Sequence, residues 1–385
     1  MNPKKVLTAI VAGAIGCSGS AMALEVDREV MPRVTLSGRL ITTLDSDYEA
    51  SGDPGINMGD SSFSARFDKR MFEQGVAGAV LGVKENEGSV AFHQMHVFYW
   101  DRDVEVKAGR TQLPNTLVEF PLVRDHDITS MTHVGNGSSN EEFDQLYGKV
   151  FTADWVLDRK AQKLGVWAGT RRNENAFAGA PDGFDSYGLG YRYEPSEKYM
   201  YLNRIRHAGI LLDAQKDRAG SNPYFQSIVA GGEINLNNSP RRNWSMGIQG
   251  IVNGGVSGVT LVDLNSATDA VSNRARAKSN ALVASLRYTD RPHLLTRLQA
   301  GLTVGYKTYD AGGTELSVIP SLKYRIGQGV DVVAQYRNTQ YSDGLNAVDS
   351  TNLVQVGLSF SLDAKYNDSI GERDSILNQE HGYIQ

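Results

Sequence analysis

From Val34 onward the chain alternates apolar with polar or small positions, segment after segment. Val34, Leu36, Leu40 and Leu44 open the series, and Tyr187, Leu189, Tyr191 and Tyr193 repeat it. Ala208, Ile210, Leu212 and Ala214 follow, then Trp244, Met246, Ile248 and Val252, then Leu282, Ala284, Leu286 and Tyr288. Leu298, Ala300, Leu302, Val304 and Tyr306 continue it, as do Leu316, Val318, Leu322 and Tyr324. Val354, Val356, Leu358, Phe360 and Leu362 close it. A period of two predicts strands with one apolar and one wet face. Weaker segments near 61–73, 76–84, 89–100, 102–109, 144–157, 163–171, 224–236 and 329–340 bring the expectation to about sixteen antiparallel strands. Turn-like stretches such as "NNSPRRN", "DAGGTE" and "RIGQG" separate them. No long stretch carries a helical period.

The apolar faces pack either on a core or on lipid. Tyr187, Tyr193, Trp244, Tyr288, Tyr306 and Tyr324 fall at or near strand ends, where a lipid–water interface favours amphipathic rings. The strand spacing also suits membrane-crossing strands better than a soluble sandwich. The only sustained apolar run is at the start. Lys4 and Lys5 precede a short apolar stretch and Ala21–Ala23, which reads as a secretory signal peptide over residues 1–23. A lipoprotein reading through Cys17 is the alternative, with Ala14 where leucine is usual.

Cleavage after Ala23 would remove the single cysteine, and with it any disulfide or thiolate chemistry. It would also remove two lysines, taking the net charge from −5 to −7 and giving no general attraction for nucleic acid.

"QVGLSFSL", with Gln355, Gly357, Phe360 and Leu362, resembles the terminal-strand signal read by the barrel assembly machinery of Gram-negative bacteria. Upstream, "VEVKAGRTQLPNTLVEFPLVRDHDITSM" runs from a strand ending in "AGRTQLP" into a long segment without alternation. This resembles the constriction loop of trimeric outer-membrane porins, closest in flavour to the phosphate-selective and dicarboxylate types. The resemblance implies a transmembrane β-barrel over 24–362 in the outer membrane. It also implies a loop at about 110–140 after the fifth strand that folds into the pore, and a homotrimer in lipid passing small hydrophilic solutes. Residues 363–385 read as a periplasmic tail beyond the usual family ending, with a capping-box spacing at Ser369 and Glu372.

If the apolar positions face lipid, the alternate ones face the lumen. This places Arg39, Arg171, Arg192, Arg287, Arg297, Lys307, Lys323, Arg325 and Arg337 on the pore wall, against the acids Asp213, Glu233 and Asp331. A basic lumen predicts a preference for anionic solutes. In the loop, Arg110, Glu119, Arg124, Asp125 and Asp127 are the candidate constriction residues. The bland readings are that the wall arginines solvate the rim and that "RDHD" is a turn.

Enzyme and cofactor motifs are not found. His93 and His96, three apart on a strand, would face opposite ways and share no metal. Asp45, Asp47, Glu49 and Asp53 lack the spacing of a calcium-binding loop. No phosphate loop is present. Two other classes stay open: an occluded barrel with a structural or adhesive role, and an outer-membrane hydrolase with a serine–histidine pair on its wall.

Overall fold

The alternating stretch around Trp244 is a strand, Arg242–Asn253, in the computed structural model, and its exposure alternates along its length. Trp244, Met246, Ile248 and Val252 are exposed, while Asn243, Ser245, Gln249, Ile251 and Asn253 are buried. The structure describes residues 33–47, 54–58, 61–71, 75–86, 89–101, 103–112, 117–123, 147–157, 161–170, 184, 186–195, 204–216, 224–237, 239, 241–255, 260–264, 274, 277–291, 296–345 and 349–366.

Seventeen strands join in one antiparallel sheet. They begin with β1 (Arg33–Asp47), β2 (Gly55–Asn57), β3 (Ser62–Met71), β4 (Gly75–Asn86), β5 (Ser89–Asp101) and β6 (Val104–Gln112). Next come β7 (Tyr147–Leu157), β8 (Gln162–Thr170), β9 (Ser186–Tyr193), β10 (Ile205–Lys216), β11 (Tyr224–Asn235) and β12 (Arg242–Asn253). The last are β13 (Ser279–Asp290), β14 (Leu298–Tyr309), β15 (Thr314–Gly327), β16 (Val330–Tyr341) and β17 (Ser350–Tyr366). A single helical turn, α1 (Leu261–Leu264), lies between β12 and β13.

Each long strand pairs with its neighbours in sequence, and β1 pairs with β17 from Val34↔Tyr366 to Asp47↔Leu353, which closes the barrel. Sixteen strands form the wall. The short β2, absent from the sequence reading, pairs with Thr43–Asp45 of β1 beyond the stretch that pairs with β3. β17 continues to Tyr366, so the wall runs four residues past the expected boundary at 362. The signal segment, Ser369, Glu372 and the rest of the expected tail lie outside the described residues.

Both chain ends of the barrel, Arg33 and Tyr366, lie at one rim, called here the terminal rim. Most connections there are short, as at 102–103, 158–161 and 328–329. The longest connections, 113–146 and 254–278, leave from the opposite rim.

The outer face carries a continuous apolar band. Phe67, Leu81, Val97, Val106, Phe151, Ile210, Ile248, Leu282, Leu302, Leu322 and Leu358 are all exposed, on strands all round the barrel. Exposed Tyr187, Tyr193, Trp244 and Tyr306 lie on this face, and Trp244 packs against Tyr288 with ring centroids 4.9 Å apart. An apolar surface of this extent belongs in lipid, not water.

Candidate pore wall and constriction

The connection after the fifth barrel strand contains "LVEFPLV", residues 117–123, which is too apolar to sit in solvent and has no partner strand. It lies inside the barrel, against the inward faces of the wall strands. Leu117 joins a cluster with Val150, Trp167, Leu211, Val229 and Ile251, inward side chains of β7, β8, β10, β11 and β12. Phe120 and Leu122 pack on Val283 and Ile319, and Val123 packs on Ile41 and Val333.

A buried segment outside the sheet must still satisfy its backbone groups. Here wall side chains do so. Gln249 Oε1 accepts from the N–H groups of Leu117 (2.7 Å) and Val118 (3.2 Å), and Gln335 Oε1 accepts from Val123 (2.8 Å). Arg287 donates to the Glu119 carbonyl, Ser321 to the Pro121 carbonyl, and Arg39 to the Val123 carbonyl at 2.8 Å.

The wall also makes room for the segment. A Cβ added at Gly247 would lie 2.4 Å from Val118 Cγ1, and one at Gly301 would lie 2.4 Å from Pro121. Glycine is the residue that permits so close an approach.

Charges line the rest of the wall, and the sequence reading undercounted the acids. Asp68, Glu105, Asp154 and Glu315 also point inward, and each is buried, as are Glu233 and Asp331. Asp68 is bound by Arg33 and Arg66, with the Arg66–Asp68 contact at 2.8 Å. Glu233 accepts from Ser245 (2.6 Å) and pairs with Arg206. Asp331 is shared by Lys323 (3.2 Å) and Arg325 (3.1 Å), two cations on one carboxylate. Asp45, expected to help crowd the first loop, is instead the inward end of β1 and accepts from Thr43, Asn57 and Gln355.

At the terminal rim Glu194 follows β9. Burial alone would raise its carboxyl, but Arg192 (3.4 Å) and Lys163 (3.1 Å) more than offset that and hold it below the ordinary value.

Arg39, Arg192, Arg287, Lys307, Lys323, Arg325 and Arg337 lie on inward registers of the wall strands. Their surroundings differ. Arg287 and Lys307 are buried, and Arg287 is bound to Glu119, with the side-chain contact at 3.4 Å. Arg39, Arg192, Lys323, Arg325 and Arg337 keep partial exposure.

Arg297 stands outside β14. It is exposed at the terminal rim and donates to the hydroxyl of Tyr324, so it does not sit on the wall. Arg110 pairs with Met95, a residue of the outer face, and follows Gly109, whose φ is 132°. Arg124, Asp125, Asp127 and Arg171 lie outside the described residues.

His93 and His96 overturn the opposite-face expectation. The β4–β5 register shifts between Gly82 and Val83, so His93 is an extra residue in β5. The bulge brings the His93 ring over the inward Gly82, while His96 packs towards the inward Phe98, and both histidines are buried. No group of three metal-ligating side chains exists among the described residues.

The residues missed by sequence reasoning are Gln249, Gln335 and Ser321, which hold the inward segment. Their one visible signal was a polar residue at an inward position in mid-strand.

No protein-family model matches the chain, and no curated protein matches it. Solved structures do resemble it. An anion-selective porin from Comamonas acidovorans superposes with a TM-score of 0.60 at 13% identity, covering 86% of this chain and 100% of that one. The outer membrane channel DcaP of Acinetobacter baumannii gives 0.59 at 12% identity, covering 86% and 98%. OmpF of Salmonella typhi gives 0.59 at 12% identity, covering 87% and 98%. With its closed sixteen-stranded wall and apolar outer band, the chain has the fold of the outer-membrane porins of Gram-negative bacteria.

Proposed function

We propose that the protein is a passive diffusion channel of the outer membrane for small hydrophilic solutes, with a preference for anions. The observation that carries the preference is a contrast in exposure along the lumen. The inward acids Asp68, Glu105, Asp154, Glu233, Glu315 and Asp331 are each 3% exposed or less. The bases Arg39, Arg192, Lys323, Arg325 and Arg337 remain in contact with the lumen. A passing ion therefore meets more positive than negative charge, although Glu119 (60% exposed), Asp45, Asp213 and Glu194 oppose it. Glu119, held by Arg287 against the wall, and Arg39 beside Val123 stand at the narrowing made by the inward segment. Arg124, Asp125 and Asp127 complete the candidate constriction. The similarity to an anion-selective porin agrees with this reading. Homotrimerisation and delivery by the barrel assembly machinery complete it.

The test is single-channel recording in a planar bilayer under a salt gradient. Discrete steps with a reversal potential favouring chloride are expected, and replacing Lys323 and Arg325 with glutamine should reduce that preference about twofold or more. Steps favouring potassium would keep the channel and reject the anion preference. An occluded barrel is the second reading, favoured by the apolar lumen belt of Trp167, Leu211, Val229 and Ile251 sealed under Leu117. It predicts folded protein without conductance.

A further inference from the structure

At the rim opposite the chain ends, α1 and Arg274 of the β12–β13 connection lie against inward side chains of the wall. Leu264 of α1 is fully buried in a cluster with Ala277, Tyr309 and Leu345, which draws on the β12–β13 connection, β14 and the β16–β17 connection. Arg274, from the same connection as α1, is buried among them. Its Nε donates to the Leu264 carbonyl at 3.1 Å, and its Nη2 donates to the Leu345 carbonyl at 2.5 Å. The guanidinium lies over the Tyr341 ring, 5.1 Å from its centroid. Lys307 of β14 donates to the Arg274 carbonyl at 3.3 Å, and Asn253 donates to that of Ala277 at 3.0 Å.

The Arg274 side chain thus ties two connections to each other and to Tyr341 of β16, while its carbonyl is held by Lys307 of β14. Two bonds from one planar guanidinium to two separate carbonyls fix direction as well as distance, which a lysine does not reproduce.

We propose that Arg274 is a latch that holds α1 inside the pore mouth, so that its release widens the mouth and makes it fluctuate. The effect on conduction rests on the channel reading; the latch itself does not. Two readouts separate them. The first is trypsin cleavage at Arg276 or Lys278 in the intact folded protein, which reports opening of the connection whether or not the barrel conducts. The second is single-channel conductance and its open-state noise.

R274A is expected to be cleaved about tenfold faster than the parent or more, with larger and noisier steps, and R274K to fall between the two. Folding of each variant is checked by the heat-dependent shift of the band on a gel. Should R274A not fold, R274K, which keeps the charge over Tyr341, carries the test alone. Cleavage of folded R274A, or of R274K in its place, at the parent's rate overturns the latch. Faster cleavage with no conductance in either protein supports the latch and removes the channel. Faster cleavage with unchanged steps and noise overturns the claim that the latch shapes the mouth.

Discussion

Single residues decide more here than their neighbours in sequence suggest. Glu194 is one case: Arg192 and Lys163 hold its carboxyl below the ordinary 4.5 in spite of burial. A carboxylate depressed by folding stabilises at pH values above its unfolded value, and that contribution is lost as the pH falls through the lowered folded value. Glu194→Gln should therefore unfold at a lower temperature than the parent at neutral pH. The gap should shrink as the pH drops below 4.5, as followed by the gel shift across a pH series. A gap that widens in acid would reject the ion-pair account. His93 shows the other side of the residue scale. One extra residue in β5 turns a ring inward, and no counting of alternate positions foresees a bulge.

Among elements, the strands were legible from alternation, whereas the inward course of the segment was expected only from the resemblance of its motif. Leu40, Leu44, Met246, Ile248 and Leu358 were assigned to the outer face by alternation and are exposed there. Val80, Phe98, Trp167, Leu211, Val229, Ile251 and Ile319 were not expected inside. Alternation equates apolar with lipid-facing, and it fails where the lumen has its own apolar belt to receive an apolar segment. The acids Asp68, Glu105 and Asp154 escaped because β3, β6 and β7 alternate weakly.

The fit between segment and wall makes a prediction at this scale. Gly247→Val and Gly301→Leu each place a side chain where Val118 or Pro121 now lies, and overpacking of this kind costs about 1–3 kcal/mol. Either variant should displace the segment and change single-channel conductance. Gly250→Ala should leave conductance alone, because its nearest neighbour is 4.0 Å away. Equal behaviour of all three would mean that the segment does not set the channel's width.

For the whole molecule, the seam between β1 and β17 is the decisive joint. Val34–Ser37 pair with Asp363–Tyr366, so a chain stopped after Leu362 loses the terminal end of that seam. Each backbone hydrogen bond lost there contributes about 0.5–1.5 kcal/mol. A chain stopped after Leu362 should unfold at a clearly lower temperature than one stopped after Tyr366. Identical midpoints would show that the last four paired residues add nothing to closure.

The same seam governs the protein's history before it functions. Val34 and Tyr366 become partners only after all of the chain between them has been made. Until then every intermediate has two unpaired edges and an apolar outer band in water, the condition that favours aggregation. A barrel closed by its first and last strands cannot finish on the ribosome. Its folding rate is set by the meeting of two distant ends.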